Sequence, residues 1–411
     1  MTAPVAELEI TGIAAGGDGV GRTDGMVVFV PRTAIGDVAR VHLQRARRFA
    51  RGRLESLVVE SDDRVVPACV HYTAERCGGC QLQHLTYDAQ LRAKGAIIAD
   101  ALRRIGRRDV GDVTVDPSDV QWRYRRKLTL HLRRASSRWI AGLHPHDNSV
   151  EVFDLADCPI TDERVLSVWR ELRAVFDLLP AERALRVAVR LLPGGAAVVV
   201  EGGSAWATPD RLFAAVPSLL ELWWKPEHGR MRRLAARDAE SLGGASFVQV
   251  NARVAARLQA YVVDRARSYA PHMVVDAYAG AGGTALPLAA SGATVVAIEL
   301  DAEAVGRFAD QLRAPSRAVV GRVEDHLAQA LPADVVLLNP PRAGVDERVT
   351  SLLQQVATPP RALLYVSCDP ATLARDLSRM PRYRLATVRA YDMFPQTAHV
   401  ETVCELVPEA A

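Results

Sequence analysis

The sequence predicts an α/β protein. Its C-terminal part reads as a doubly wound, Rossmann-like sheet, preceded by a small OB-like β-barrel and a mixed α+β segment. Three observations carry this reading. From Ser246 onward, apolar runs of strand length alternate with helical periods, the pattern of repeated β-α units. Residues 5 to about 60 show short alternating runs separated by Gly-rich turns, which suits a small barrel. The length, 411 residues with 49% hydrophobic and 24% charged, suits several domains with a core each. The expected units are 1–60, 61–245 and 246–411.

Net charge is only +3, so global charge does not announce a nucleic-acid partner, but nearly all the positive charge is Arg and it clusters in the first third. No run approaches the ~18 apolar residues of a membrane span. Met1 to Gly12 lacks the basic-then-apolar pattern of a signal peptide. A cytoplasmic monomer with no membrane partner is expected. In that setting six cysteines suggest metal binding or catalysis rather than disulfides. They fall into three groups: Cys69, Cys77, Cys80 and Cys158; then Cys368; then Cys404.

In the barrel segment, Glu7 to Ile10, Met26 to Val30 and Val38 to Leu43 read as strands, with turn chemistry at Gly16-Gly17-Asp18-Gly19. Arg45, Arg47, Arg48, Arg51 and Arg53 crowd one loop or hairpin, which on such a barrel points to RNA. Cys77-Gly78-Gly79-Cys80 sets two thiols on one tight turn, with glycines that let the backbone wrap an inorganic centre. Cys69 and Cys158 supply the third and fourth ligands of a zinc or iron–sulfur site, and spacing alone does not choose between them. His71 and His84 are alternative zinc ligands. Asp88 to Arg104 has helical period. Trp122 to Arg126 interleaves aromatic residues with Arg, as an RNA-contacting segment does, and then alternates as a strand. Residues 161–178 read as helix, and Val187 to Val200 and Leu219 to Trp224 as strands.

In the C-terminal unit, Asn251 caps a helix to Ala270, and Met273 to Ala279 is a strand. Asp276-x-Tyr278-x-Gly280-x-Gly282 follows, a turn that lets the backbone pass close to a ligand. The next strand ends about twenty residues later at Glu299, an acceptor for ribose hydroxyls, and a helix over Asp301 to Arg313 follows. These features fit NAD or S-adenosylmethionine (SAM). A later strand runs into Asn339-Pro340-Pro341-Arg342, a motif of Rossmann-like methyltransferases acting on bases or amides. The strand Leu363 to Val366 ends in a turn bearing Cys368, and Pro370 opens a helix to about Leu377. A thiol there lies beyond the carboxyl end of a strand, where open α/β sheets bind ligands.

On these residues the chain resembles the TRAM-domain RNA 5-methyluridine methyltransferases, over nearly its whole length. The resemblance implies a TRAM barrel at 1–60, a SAM-dependent methyltransferase domain, and tRNA or rRNA as partner. Cys69, Cys77, Cys80 and Cys158 look like the [4Fe–4S] ligand set of the 23S rRNA branch. Ser246 to Asn251 is similar to the F-x-Q-x-N segment, which makes Gln249 a SAM contact. Tyr278, Gly280 and Gly282 match the SAM turn, Glu299 the ribose-binding acid, and Asn339 the position of a usual Asp in the cofactor pocket. Ser367 to Asp376 resembles the nucleophile motif around Cys368. Gln396-Thr397-Ala398-His399-Val400-Glu401 resembles the segment carrying the base, Glu401. Gly283 and Asp369 stand where the family usually has Asn.

The implied chemistry is covalent. Uracil C5 is a poor nucleophile, so a thiolate adds to C6, C5 takes the methyl group, and a base removes the C5 proton. The helix starting at Pro370 is expected to lower the thiol pKa. Two rivals stand beside this: a non-enzymatic RNA-binding protein of the same fold, and a methyltransferase for an exocyclic amine, which needs no nucleophile.

Overall fold

The computed structural model describes residues 4–136, 138–238, 243–245 and 249–409. Residues 246–248, part of the expected Gln249 segment, lie outside them. Among the described residues the strands form three sheets. The first is a closed barrel of β1 (Val5–Ile13), β2 (Gly19–Thr23), β3 (Met26–Val30), β4 (Val38–Arg45) and β5 (Ala50–Val59), in the order β1-β2-β3-β5-β4. Alternation sends Leu8, Ile10, Val28, Val30 and Val41 to its interior. Closure leaves no free edge, and the arginines sit on the β4–β5 hairpin.

A two-residue strand, β6 (Val115–Asp116), precedes the second sheet. That sheet holds β7 (Lys127–Ala135), β8 (Arg138–Gly142), β9 (Ala184–Leu192), β10 (Gly195–Glu201), β11 (Leu219–Lys225) and β12 (Arg232–Ala236), in the order β12-β11-β10-β9-β7-β8. Helix Glu163–Arg173 buries Val165, Trp169 and Leu172 in the same core as Leu130, Val187 and Val198.

The third sheet contains β13 (Met273–Ala277), β14 (Thr294–Glu299), β15 (Arg317–Val320), β16 (Val335–Leu338), β17 (Ala362–Ser367), β18 (Tyr383–Tyr391) and β19 (Glu401–Pro408). Its order is β15-β14-β13-β16-β17-β19-β18-β6. β13 to β17 run parallel, and β19 slots antiparallel between β17 and β18. Both faces are covered, which explains the unbroken apolar run of β17. Leu363 and Tyr365 enter one core, Leu364 and Val366 the other. Each such side chain stabilises the fold by about 2 kcal/mol. The strand order reverses between β13 and β16, and that switch point opens the crevice for a ligand.

Two elements differ from the sequence reading. Helix Tyr87–Arg104, counted there with the middle segment, packs Ile98, Ala101 and Leu102 into the core of the third sheet, beside Tyr365 and Leu373. β6 follows it as the outermost strand, paired with β18. Apolar faces choose partners by packing rather than by sequence neighbourhood. The helix expected over 301–313 breaks into Ala302–Gly306 and a 3-10 turn, Ala309–Gln311. Phe308 leaves helical geometry between them to pack beneath Gly282. No helix among the described residues is long and apolar enough to cross a membrane.

Candidate active site

β17 delivers Cys368 to the edge of the crevice, and Asp369 caps the following helix, Pro370–Ser378, by accepting from Thr372 N at 2.8 Å. Asp369 thus shapes the turn through one of its carboxylate oxygens. β17 and β19 pair Ser367 with Thr402, and one further step in that register brings Cys368 beside Glu401. Glu401 is 3% exposed, and its Oε2 has no hydrogen-bond partner. Burial pushes this carboxyl up to about 8, against the pull of the Arg342 guanidinium. Burial, and then the neighbouring Glu401, push the Cys368 thiol up as well, with Arg342 opposing. The shift is opposite to the lowered thiol pKa that the sequence predicts. Here desolvation and the Glu401 carboxyl outweigh the Arg342 guanidinium.

Arg342 follows Asn339-Pro340-Pro341 at the end of β16, so three strand ends, from β16, β17 and β19, converge on one point. His399 lies on the same side, its imidazole pushed down by burial and by the cations Arg342, Lys94 and Arg125.

The Gly-rich turn after β13 is anchored from below. Asp276 is 1% exposed, accepts from the Thr284 hydroxyl at 2.5 Å, and is pushed up to about 6 by burial. Tyr278 takes a left-handed φ of 65°, and its N–H donates to Ile298 O at 2.9 Å. Gly280, at φ 56°, has nothing within 4 Å of where a Cβ would stand. The backbone there faces open space at the switch point, which is what close approach of a cofactor requires. Gly282 has a different reason: a Cβ would meet Phe308 at 2.5 Å. Glu299 accepts from Gly280 N and Asp301 N, both at 2.8 Å, and so ties β14 to the turn. A carboxylate has about four lone-pair sites, which leaves acceptor capacity for ribose hydroxyls. Asn339 is exposed at the end of β16, and its N–H donates to Ala277 O at 3.3 Å. Gln249 is half-buried, two residues ahead of Asn251, which caps helix Ala252–Ser268. No hydrogen bond among the described residues joins Gln249 to the turn.

Cys69, Cys77, Cys80 and Cys158, although 89 positions separate the first from the last, line one cavity of about 250 Å³. Arg342, Thr397 and His399 line it too, so it adjoins the Cys368 site. All four thiols are free. Burial pushes Cys77 up to about 11 and raises Cys80 and Cys158. Among the described residues, no group of three or more His, Cys, Asp or Glu is arranged to hold a metal ion. His71 and His84 are otherwise engaged. His71 meets Glu75 at 2.9 Å and accepts from Ala156 N, and His84 lies 2.7 Å from the Tyr72 hydroxyl and 3.1 Å from Thr33 O.

Within the Trp122–Arg126 segment, Tyr124 alone leaves its expected surface role, while Arg123 stays exposed and Trp122, Arg125 and Arg126 half-buried. Tyr124 is 5% exposed and donates to Pro395 O at 3.0 Å, and Arg123 pairs with Asp157 at 2.8 Å. By contrast Phe49, on the Arg-rich hairpin, is 37% exposed and packs edge-on against Phe29. Sequence reasoning singled out neither Arg342 nor the buried anchor Asp276 as site residues. The signal for each was its place directly at a motif.

Comparison with known proteins identifies the family and the fold. The family described as tRNA (Uracil-5-)-methyltransferase matches residues 315–407, and the TRAM domain matches residues 4–54. An uncharacterized RNA methyltransferase of Thermosynechococcus vestitus is 31% identical, over 97% of this chain and 97% of its own. A 23S rRNA (uracil(1939)-C(5))-methyltransferase of Shewanella piezotolerans is 29% identical, over 96% of this chain and 94% of its own. The tRNA (uracil-54, C5)-methyltransferase of Pyrococcus abyssi, solved with S-adenosyl-L-homocysteine, shares the fold. Its TM-score is 0.71 at 22% identity, over 97% of this chain and 99% of that one. With a TRAM barrel at one end, a uracil-C5 methyltransferase sheet at the other and relatives matched along the full length, the chain belongs to the TRAM-domain RNA (uracil-C5)-methyltransferases.

Proposed function

We propose that this protein transfers a methyl group from SAM to C5 of a uridine in tRNA or rRNA through a covalent adduct between Cys368 and uracil C6. One observation carries the reading: Cys368 stands beside a buried carboxyl, Glu401, that has a free oxygen and a pKa raised to about 8. A carboxyl so held is poised as a base near neutral pH. Methylation of an exocyclic amine would need neither the thiol nor this carboxylate.

The residues divide the work as follows. Arg342, next to the thiol, stabilises the Cys368 thiolate that adds to C6. SAM supplies an electrophilic methyl group. The turn at Tyr278, Gly280 and Gly282, with Glu299, Asn339 and Gln249, orients it toward C5. Glu401 then takes the C5 proton, and the C–S bond breaks to free Cys368 and 5-methyluridine. A base paired or stacked in folded RNA must first be flipped out to reach this site. The Arg-rich β4–β5 hairpin, with Phe49 at its tip, provides phosphate contacts and a stacking surface for the RNA.

Cys69, Cys77, Cys80 and Cys158 would hold a [4Fe–4S] cluster. The fit rests on four free thiols that the fold brings to one cavity from positions up to 89 residues apart. The cluster would supply a cross-link between segments distant in sequence, and the methyl transfer itself asks no redox step of it. The units 1–60, 61–245 and 246–411 then serve as RNA reader, scaffold and catalyst, with helix Tyr87–Arg104 bridging the last two.

The test is peptide mass spectrometry of enzyme quenched during turnover with RNA and SAM. The reading expects a methylated uridine on the peptide bearing Cys368. Turnover to 5-methyluridine with no mass on that peptide under any quench, and undiminished in Cys368→Ala, would refute it.

A further inference from the structure

The segment that leads into Glu401, residues 392–400, is irregular, and beside its internal bonds several of its polar groups are held from outside its own sheet. Gln90, 1% exposed on helix Tyr87–Arg104, forms a reciprocal amide pair with Gln396. Gln396 N donates to Gln90 Oε1 at 2.9 Å, and Gln90 Nε2 donates to Gln396 Oε1 at 3.0 Å. From the same helix, Lys94 meets Asp392 Oδ1 at 2.5 Å and Phe394 O at 3.1 Å. The cysteine turn adds Gln81 N and Leu82 N, which donate to Gln396 O at 3.2 and 3.0 Å.

Gln396 is also strained. Its φ is 71°, a left-handed conformation that a non-glycine residue keeps only where its surroundings over-determine it. Gln396 is 3% exposed, and the Gln90 amide supplies two of the bonds that fix it. Five residues on, the chain enters β19 as Glu401. The strain and the clamp therefore sit on the approach to the base, and a relaxed Gln396 would let that approach turn.

We propose that Gln90 is a positioning residue for proton abstraction: through Gln396 it sets where the Glu401 carboxylate stands relative to uracil C5. This rests on the reading of Glu401 as the base. It separates one chemical step from the others, because Cys368 and Arg342 are delivered by β17 and β16, and among the described residues the Gln90 side chain bonds only to Leu85 and Gln396.

The experiment compares two RNA substrates. On uridine RNA every step is needed, including removal of the C5 proton. On RNA carrying 5-fluorouridine the thiolate adds to C6 and C5 takes the methyl. C5 then holds fluorine and methyl with no proton to remove, so the C–S bond stays and a stable adduct accumulates. Gln90→Leu keeps the volume and removes the amide. Its kcat on uridine RNA should fall roughly 10- to 100-fold, the cost of a misplacement of about 1 Å. Its rate of adduct formation on 5-fluorouridine RNA, and its KM for RNA, should stay within about twofold of wild type. Gln396→Asn serves as the second variant if Gln90→Leu does not fold, since Asn tolerates the left-handed conformation but is too short to reach Gln90. The same split is expected of it. Equal slowing on both substrates would overturn the proposal in favour of a general structural role, and no slowing on either would overturn it outright. Failure of the wild type to form the adduct would instead bring down the covalent reading, and this inference with it.

Discussion

Replacing Glu401 by Gln should stabilise the protein while abolishing turnover, and the gain should depend on pH. The folded carboxyl titrates at about 8 against an ordinary 4.5, because burial disfavours its charged form. Between those values the folded state keeps a proton that the unfolded state releases. Stability is therefore full below 4.5 and falls as pH rises through 8. At about 1.4 kcal/mol per pH unit, roughly 3 kcal/mol is lost by pH 7 but only about 1 kcal/mol by pH 5. Glu401→Gln removes the titrating group and with it this slope. All six tryptophans lie between residues 122 and 224, so fluorescence reports the wrong sheet. Amide exchange along β17 and β19 is the suitable assay, with variant and wild type compared at the same pH so that intrinsic rates cancel. The variant's excess protection should be about 3 kcal/mol at pH 7 and about 1 kcal/mol at pH 5. Wild-type kcat should in parallel rise about tenfold from pH 7 to 9, as the carboxylate forms, with Glu401 and Cys368 titrating as a pair. Equal protection of the two proteins at both pH values, with a flat activity profile, would refute the reasoning.

Cys368→Ala should retain S-adenosylhomocysteine binding within about twofold by calorimetry yet form no adduct with 5-fluorouridine RNA, since the thiol is the bond-forming atom. Gly280→Ala and Gly282→Ala should part company. The first, with open space around its Cβ, should lose only the roughly 1–2 kcal/mol of its left-handed φ and weaken S-adenosylhomocysteine binding, whereas the second carries the same strain, collides with Phe308 as well, and should lower the melting temperature by several degrees more. The proposed cluster predicts iron and visible absorption in the wild type, both lost along with tight RNA binding in Cys77→Ser with Cys80→Ser. A double mutant that is folded, fully active and still tight on RNA would sink the structural role given to the cluster.

Much of the fold was legible because its elements carry local signals. The run from Leu363 to Val366 followed by Cys368 and Pro370 states a strand, a turn and a helix within a dozen residues, and all three appear. Asn251 announced a cap and makes it, with Oδ1 accepting from Val254 N at 3.3 Å. Long-range choices were less legible. Nothing within Tyr87–Arg104 says which sheet its apolar face will join. Nothing in Gln90 says that its partner lies 306 residues away. Local pattern likewise misassigned Tyr124, whose aromatic–Arg setting resembles an RNA surface although the ring is buried and bonded to Pro395. Of the candidate site residues, Cys368 and Glu299 were legible from strand ends and spacing, whereas Glu401 was legible only through the family resemblance. The carboxyl's raised pKa was not legible, because it arises from burial by elements far apart in the chain.

The most direct test of the central claim is nucleoside mass spectrometry on unmodified total RNA incubated with methyl-deuterated SAM and either wild type or Cys368→Ala. The account predicts deuterated 5-methyluridine with the wild type and none with the variant. Label on a different nucleoside, persisting in Cys368→Ala, would contradict it.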